Sequence, residues 1–232
     1  MADRPILFSA PMARALLAGR KTQTRRIIKP QPQIRPEINE CSGHFEIYNG
    51  DELAGRLRMK AVTGDRLWVK ETWRAHGWHS DCVEIAYAAQ RGVVGWSEQH
   101  EQIKYPDGNR NAFKYYAPKG PDFWRPSIFM PRWGSRITLM VTDVRVERLQ
   151  DISEADANAE GIERANNHPV FKLYRDYCAL PKSGDGAIPA VDSYRSLWNH
   201  INGEGAWEAN PWVVAYTFTV HLGNIGQIGR AA

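Results

Sequence analysis

Hydrophobic and polar residues alternate along several short stretches of this chain, which is the pattern of β-strands with one buried face. The clearest example spans residues 212–220, where every second position carries Trp, Val, Tyr or Phe. A longer stretch covers residues 137–146, and a shift of period near residues 142–143 indicates a β-bulge. Shorter strands are predicted over residues 5–8, 22–28, 66–73, 84–88 and 112–116.

Three further segments, residues 9–19, 153–161 and 191–203, have apolar residues at the spacing of amphipathic helices. A serine opens the first two segments, where its side chain can cap the helix, and a glycine closes all three. Because strands outnumber helices and do not alternate with them regularly, the chain is predicted to be an α+β protein.

We expect a single domain over residues 1–222, because the sequence contains no internal repeat and no convincing second core. Residues 33–60 have weak periodicity and predict an insertion without regular structure. Residues 223–232 are rich in glycine and predict a flexible tail.

Positive charge is concentrated at the start of the chain. Residues 1–36 contain eight basic residues and one acidic residue, whereas the whole chain has a net charge of +4. The remaining residues are therefore acidic overall. This asymmetry suggests an anionic partner such as a nucleotide or RNA, and a merely solvated basic face is the alternative.

Cysteines and apolar runs restrict the class of protein. No apolar run approaches the roughly 18 residues of a membrane helix, and the N-terminus lacks the apolar core of a signal peptide, so we expect a cytoplasmic protein without a membrane partner. Three scattered cysteines predict free thiols. His76, His79 and Cys82 are ligand types, but their spacing is not that of a zinc site, so we expect no metal and no cofactor.

The segment Ala-Gly-Arg-Lys-Thr-Gln-Thr-Arg-Arg at residues 18–26 carries the most suggestive chemistry. A buried lysine loses pKa and can activate a nearby hydroxyl, so Lys21 and Thr24 form a candidate base and nucleophile. On one regular strand they would lie on opposite faces, and they converge only if the chain turns after Gly19. Thr22 is the rival hydroxyl, and an exposed lysine beside strand-edge threonines is the alternative.

Four sequence pieces together resemble the ASCH superfamily, whose members are PUA-like β-barrel domains related to RNA-binding modules. They are AGRKTQTRR, GDRLWV, LQDISEADANAEGI and the final W-V-V-x-Y-x-F strand. The longer segments PMARALLAGRKTQTRR, GDRLWVKETW and PSIFMPRWGSRITL are similar to ASCH proteins of phages and prophages. The resemblance implies a PUA-like mixed β-barrel with a few covering helices and long insertions near residues 33–60, 74–123 and 162–189.

Small bacterial ASCH enzymes that hydrolyse 4-acetylcytidine carry a G-x-K-T-x-T-x-R segment and a catalytic glutamate in the helix after the long strand. By this resemblance Lys21, Thr24 and Glu160 take the catalytic positions, and Arg26 takes the position of the family arginine. At Arg25 the chain departs from those enzymes, which have an apolar residue there.

The expected function is therefore an amidohydrolase that removes an acyl group from a modified cytosine nucleoside. A module that binds RNA or a modified nucleotide without catalysis is the second hypothesis, and a ribonuclease is the third. Candidate contacts with the nucleoside or RNA are basic, aromatic or acidic side chains beside the motifs: Arg20, Arg25, Arg26, Trp68, Glu71, Arg132 and Trp133.

Overall fold

A computed structural model of the chain describes residues 1–49, 51–78, 82–90, 101–104, 123–165, 173–178 and 187–229. The chain forms two compact units. The first unit comprises Met1–Leu17, Asp65–Met140 and Val220–Ala232, and the second comprises Ala18–Gly64 and Val141–Thr219.

Strands make up most of the regular structure. In chain order they are β1 (Asp3–Leu7), β2 (Gln23–Ile27), β3 (Glu37–Asn39), β4 (His44–Asn49), β5 (Glu52–Arg58), β6 (Arg66–Lys70), β7 (Trp73–Trp78), β8 (Cys82–Tyr87), β9 (Glu101–Lys104), β10 (Ile137–Arg148), β11 (Tyr174–Arg175), β12 (Ala187–Ile188) and β13 (Trp212–Leu222). The α-helices of the described residues are α1 (Ala10–Leu17), α2 (Glu154–Ala159) and α3 (Ala190–Asn202). Short 3-10 turns cover Ala88–Gln90, Ser127–Phe129, Arg132–Gly134 and Leu149–Asp151.

The first unit contains a sheet with the strand order β1-β6-β10-β13. Strand β1 runs parallel to β6 with Ile6 opposite Val69, and β6 runs antiparallel to β10 with Leu67 opposite Leu139. These four side chains are buried, which explains why the apolar alternation of the sequence predicted the strands. The same unit contains the antiparallel sheet β7-β8-β9.

The second unit contains the other parts of β10 and β13, followed by β2, in the order β10-β13-β2. Strand β2 is antiparallel to β13, with Thr24 opposite Tyr216 and Arg25 opposite Ala215. Helices α2 and α3 pack against each other. Helix α3 buries Tyr194 and other apolar residues of the face that the sequence predicted.

All three helices begin and end close to the predicted positions. The Ser153 side chain accepts a hydrogen bond from the Asp156 amide at 3.1 Å, as expected of the N-cap of α2. Gly19 and Gly161 follow α1 and α2 with φ angles of 68° and 85°, which is the left-handed conformation that glycine adopts without strain.

The prediction that residues 33–60 lack regular structure was wrong, because this segment contains the antiparallel sheet β3-β4-β5, and its being an insertion stays a prediction. Its strands carry mostly exposed or half-buried side chains, and Phe45 is the fully buried apolar residue of β4. Alternation between a buried and an exposed face is therefore too weak to be recognised in the sequence. The strand predicted over residues 112–116 lies outside the described residues.

Residues 223–229, which were predicted to belong to a flexible tail, pack within the first unit. Ile225 is fully buried, and the Asn224 amide donates to the backbone carbonyls of Arg132, Trp133 and Ser135 at 2.7–3.2 Å. Residues 230–232 lie outside the described part of the chain.

The fold is a mixed α+β arrangement with mostly strands and few helices, as predicted, and its sheets are open. Within the described ranges no sheet closes into a barrel, and the PUA-like architecture stays a prediction. None of the described helices is both long and apolar enough to cross a bilayer.

Candidate functional site

Lys21 and Thr24 were expected to converge only if the chain turns between Gly19 and Thr22, and Gly19 has the φ angle of 68° that such a turn uses. Gly19 reverses the chain after α1, and β2 begins only at Gln23, so Lys21 precedes the strand while Thr24 lies within it. The two residues are therefore not constrained to opposite faces of one strand. Both are buried, with exposed fractions of 1 % each, whereas the rival hydroxyl of Thr22 is exposed.

Cationic side chains before β2 satisfy the carbonyls at the C-terminal end of α2. Lys21 Nζ donates to the Glu160 carbonyl at 2.7 Å, and Arg20 donates to the carbonyls of Gly161 and Ile162 at 3.1 and 3.3 Å. The last carbonyls of a helix lack partners within the helix and favour positive charge. This contact fixes the end of α2, and with it the position of Glu160.

Lys21 and Glu160 form a buried ion pair. Lys21 Nζ lies 2.7 Å from Glu160 Oε2, and the two side chains have exposed fractions of 2 % and 5 %. Burial lowers the pKa of Lys21 below its ordinary value, because it disfavours the ammonium form, and the charge of Glu160 offsets only part of this effect. An amine with a lowered pKa is present in its neutral form, which can accept a proton, at a lower pH than the amine of an exposed lysine.

The second oxygen of Glu160 faces Arg25, because Arg25 Nη1 donates to Glu160 Oε1 at 3.1 Å. Arg25 also donates from Nε to Glu147 at 2.8 Å and from Nη1 to the Gln23 side-chain oxygen at 2.6 Å, and its Nη2 lies 3.4 Å from Asp156 Oδ2. Burial works to lower the pKa of Arg25, but Glu160 and the other nearby acidic groups raise it above the ordinary value. Arg25 is therefore a permanent cation inside the cluster.

Thr24 is joined to the same cluster through Arg26. Arg26 Nη1 donates to Thr24 Oγ1 at 2.7 Å. Burial lowers the pKa of Arg26, and the charge of Glu160 opposes that shift, which shows that Glu160 acts on Arg26 as well as on Lys21. A guanidinium against a hydroxyl oxygen stabilises negative charge on that oxygen.

Tyr194 of α3 completes the cluster. Its ring centroid is 6.0 Å from the Arg25 guanidinium carbon, and the residue is buried. Burial and the negative charge of Glu160 raise the pKa of Tyr194 well above its ordinary value, so its hydroxyl stays protonated. The sequence had placed this residue on the apolar face of the helix without assigning it to a site.

The remaining predicted contacts, Trp68, Glu71, Arg132 and Trp133, lie in the first unit. Trp68 is half-buried with Lys70 Nζ 5.3 Å from its ring centroid, and Arg132 Nη2 lies 2.5 Å from Asp3 Oδ2. These contacts lie within the first unit, and contacts of Trp68 and Arg132 with a ligand stay a prediction.

Glu71 and Trp133 also have partners inside the first unit. Arg136 donates to both oxygens of Glu71 at 2.9 and 3.1 Å, and Trp133 packs edge-on against the ring of Trp73 with centroids 6.4 Å apart. Contacts of these residues with a ligand stay a prediction.

Sequence reasoning assigned no site role to Gln23, Glu147, Asp156 or Tyr194. Gln23 and Asp156 are joined by a hydrogen bond of 3.0 Å, and Glu147 stands near the end of β10. Gln23 and Arg25 are two positions apart in the motif, so their side chains share one face of a strand. This shared face was the one indication in the sequence that Gln23 could belong to the site. Their acidic partners come from distant segments and could not be paired without the fold.

In the described part of the chain no three His, Cys, Asp or Glu residues are grouped so that they could hold a metal ion. Cys41 and Cys178 are exposed free thiols. The side chains of His76 and Cys82 are not among those described, and His79 lies outside the described residues.

Comparison with known proteins gives no family assignment, because no protein-family model, curated protein or solved structure matches this chain. The resemblance to the ASCH superfamily therefore stays a prediction from the quoted motifs. The chemistry of the cluster rests on its own geometry. It combines a lysine of lowered pKa, a carboxylate shared by two cations, and a hydroxyl held by a guanidinium.

Proposed function

We propose that this protein is an amidohydrolase of the PUA-like ASCH type that removes the acyl group from a modified cytosine nucleoside such as 4-acetylcytidine. The observation that supports the proposal most strongly is the 2.7 Å contact between Lys21 Nζ and Glu160 Oε2 in a buried site. The choice of an acylated cytosine rests on the resemblance in the residues 18–26 motif.

The proposed reaction consumes one water and yields acetate and the free nucleoside. Lys21, as the neutral amine, accepts a proton from the Thr24 hydroxyl or from a water that Thr24 orients. The deprotonated oxygen attacks the acyl carbon. Arg26, which donates to Thr24 Oγ1, stabilises the negative charge on that attacking oxygen. Glu160 relays the proton to the nitrogen of the base as the C–N bond breaks. If Thr24 is acylated, a water then hydrolyses the ester.

The charges of the cluster favour an uncharged substrate. With Lys21 as the neutral amine, Arg25, Arg26 and Arg145 are matched by Glu147, Asp156 and Glu160, so these six side chains have no formal net charge. A phosphodiester carries negative charge and is held best by an excess of cations. This balance supports hydrolysis of a neutral nucleoside over the ribonuclease and RNA-binding hypotheses.

The low accessibility of the basic residues also supports a neutral nucleoside as the substrate over RNA. Arg25, one of the predicted RNA contacts, has an exposed side-chain fraction of 0 %. Arg20 is exposed, but its guanidinium donates to two backbone carbonyls. The Arg25 side chain is therefore closed to a phosphate in this conformation, and Nη1 of Arg20 is already engaged by backbone carbonyls.

The test is incubation of the purified protein with 4-acetylcytidine and a panel of other acylated nucleosides, with a metal chelator present. Chromatography should detect the free nucleoside, and turnover should change little between low and high salt. RNA binding that weakens steeply with salt, without any turnover, would favour the binding-module hypothesis instead.

A further inference from the structure

Arg25 is enclosed by acceptors on every side that the described residues cover. Its guanidinium bonds or pairs with Gln23, Glu147, Asp156 and Glu160 at distances between 2.6 and 3.4 Å. Nε and Nη1 of Arg25 donate hydrogen bonds to Glu147, Gln23 and Glu160, whereas Nη2 lies at ion-pair distance from Glu147 and Asp156 without making a hydrogen bond. The Arg25 side chain has an exposed fraction of 0 %, so a substrate could reach the guanidinium only if these side chains moved.

The partners of Arg25 come from separate elements of the second unit. Arg25 lies on β2, Glu147 near the end of β10, and Glu160 at the C-cap of α2. The guanidinium therefore ties the carboxylate at the end of a short helix to two strands. A helix of this length has little stability of its own, so the orientation of Glu160 depends on such contacts.

The two oxygens of Glu160 are divided between two cations. Oε2 receives Lys21 Nζ at 2.7 Å and Oε1 receives Arg25 Nη1 at 3.1 Å. With one oxygen held by Arg25, rotation of the carboxylate is restricted, and Oε2 stays directed at the amine. Lysine is a point charge on a flexible chain and cannot impose this orientation.

We propose that Arg25 is a positioning residue for Glu160, holding the carboxylate in the orientation that places Oε2 against Lys21 and never contacting the substrate. The inference rests on the proposed function for its catalytic consequence. It replaces the prediction, made from the sequence, that Arg25 binds a nucleoside or RNA.

The two roles of Arg25 predict different kinetics. Loss of a substrate contact raises KM, whereas loss of an orienting partner lowers kcat with little change in KM. The removal of groups that orient functional residues typically costs about 10–100-fold. We expect Arg25→Met to lower kcat by about 10–100-fold and to change KM by less than about threefold.

A second readout does not depend on turnover. The positive charge of Arg25 contributes to the lowered pKa of Lys21, although less than burial does. In Arg25→Met the pKa of Lys21 should therefore rise, as measured by ¹³C NMR titration of labelled lysine, with the signal assigned by its absence in Lys21→Arg. In Arg25→Lys the charge is kept and the fork is lost, so the Lys21 pKa should stay closer to wild type while kcat still falls.

Arg195→Met is the matched control, because the Arg195 side chain is 50 % exposed and pairs with Glu208 at 2.6 Å. It should change neither kcat nor the titration of Lys21. If Arg25→Met does not fold, the kcat and KM of Arg25→Lys decide the question. A raised KM with unchanged kcat in a folded Arg25 variant, or a Lys21 titration that is identical in wild type and Arg25→Met, overturns the proposal. A wild-type protein without turnover refutes the proposed function, and the Lys21 titration then judges the role of Arg25 by itself.

Discussion

Each compact unit of the protein contains buried ion pairs, and two of them, Arg136–Glu71 and Lys21–Glu160, are built differently. In the first unit, Arg136 donates to both oxygens of Glu71 and its guanidinium carbon lies 3.9 Å from the centroid of the Tyr87 ring. Both oxygens of this carboxylate are held by one guanidinium. An arginine does not lose its proton under ordinary conditions, so this pair is suited to holding structure and unsuited to proton transfer.

In the second unit, Glu160 is shared between Lys21 and Arg25, and Arg25 is shared among several acceptors. Lysine can lose its proton, and burial lowers the pKa of Lys21 further. The comparison teaches that burial of charge does not by itself mark a functional site. The distinguishing features are a titratable cation and a hydroxyl, that of Thr24, joined to the same network.

The largest expected effect is the loss of stability when the pair of Glu71 and Arg136 is broken. Glu71→Ala leaves Arg136 buried without its carboxylate and should lower the free energy of unfolding by about 3–5 kcal/mol. Lys21→Met should cost less, about 1–3 kcal/mol, because Glu160 keeps Arg25 as a partner. Urea denaturation of both variants measures the difference. Equal losses would mean that Arg25 does not support Glu160.

A second prediction separates the two threonines of the motif. Thr24→Ala should lower kcat/KM for 4-acetylcytidine by at least about 100-fold, because it removes the proposed nucleophile or the group that orients water. Thr22→Ala is the matched control. Its hydroxyl is exposed, so its removal should change kcat/KM by less than about threefold. Full activity in Thr24→Ala with loss in Thr22→Ala would exchange the roles of the two residues.

The smallest expected effect concerns Asp156 at the edge of the cluster. Burial works to raise the pKa of Asp156, but hydrogen bonds from Gln23 and Ser153 and the charge of Arg145 lower it below the ordinary value of 3.8. Its contribution to stability is therefore present above pH 3.8 and is lost as the pH falls through the lower pKa of the folded state.

Asp156→Asn should consequently cost about 1 kcal/mol near neutral pH and less in strong acid. Urea denaturation of wild type and variant across this pH range checks the prediction. A difference that stays constant with pH would show that the carboxylate charge of Asp156 contributes nothing. The N-cap of α2 should stay intact in Asp156→Asn, because the Ser153 side chain accepts its hydrogen bond from the backbone amide of residue 156.

The sequence predicted those parts of the fold that have a strong period or a clear cap. Strand β13 has a large apolar residue at every second position from Trp212 to Val220, although Val213 to Tyr216 are all buried, and α2 has Ser153 at its start and Gly161 after its end. Strands β3 to β5 escaped prediction because few of their side chains are buried, so that burial leaves no period in the sequence.

The candidate site was predictable only where residues lie close together in the chain. The spacing of Lys21, Thr24 and Arg26 could be read from the motif, and Glu160 required the resemblance to a family. Glu147 and Tyr194 reach the cluster through the pairing of β10, β13 and β2 and the packing of α3. No local pattern encodes such long-range partners, so the burial of Arg25, which was predicted to contact a nucleoside or RNA, was not foreseen.

The most direct test of the account compares the two buried pairs by their effect on catalysis. Turnover of 4-acetylcytidine should be measured for wild type, Lys21→Ala and Glu71→Gln, each corrected for its folded fraction by circular dichroism. We predict that Lys21→Ala loses at least about 100-fold in kcat/KM, whereas Glu71→Gln stays within about threefold of wild type per folded molecule. Equal activity of Lys21→Ala and wild type would contradict the account.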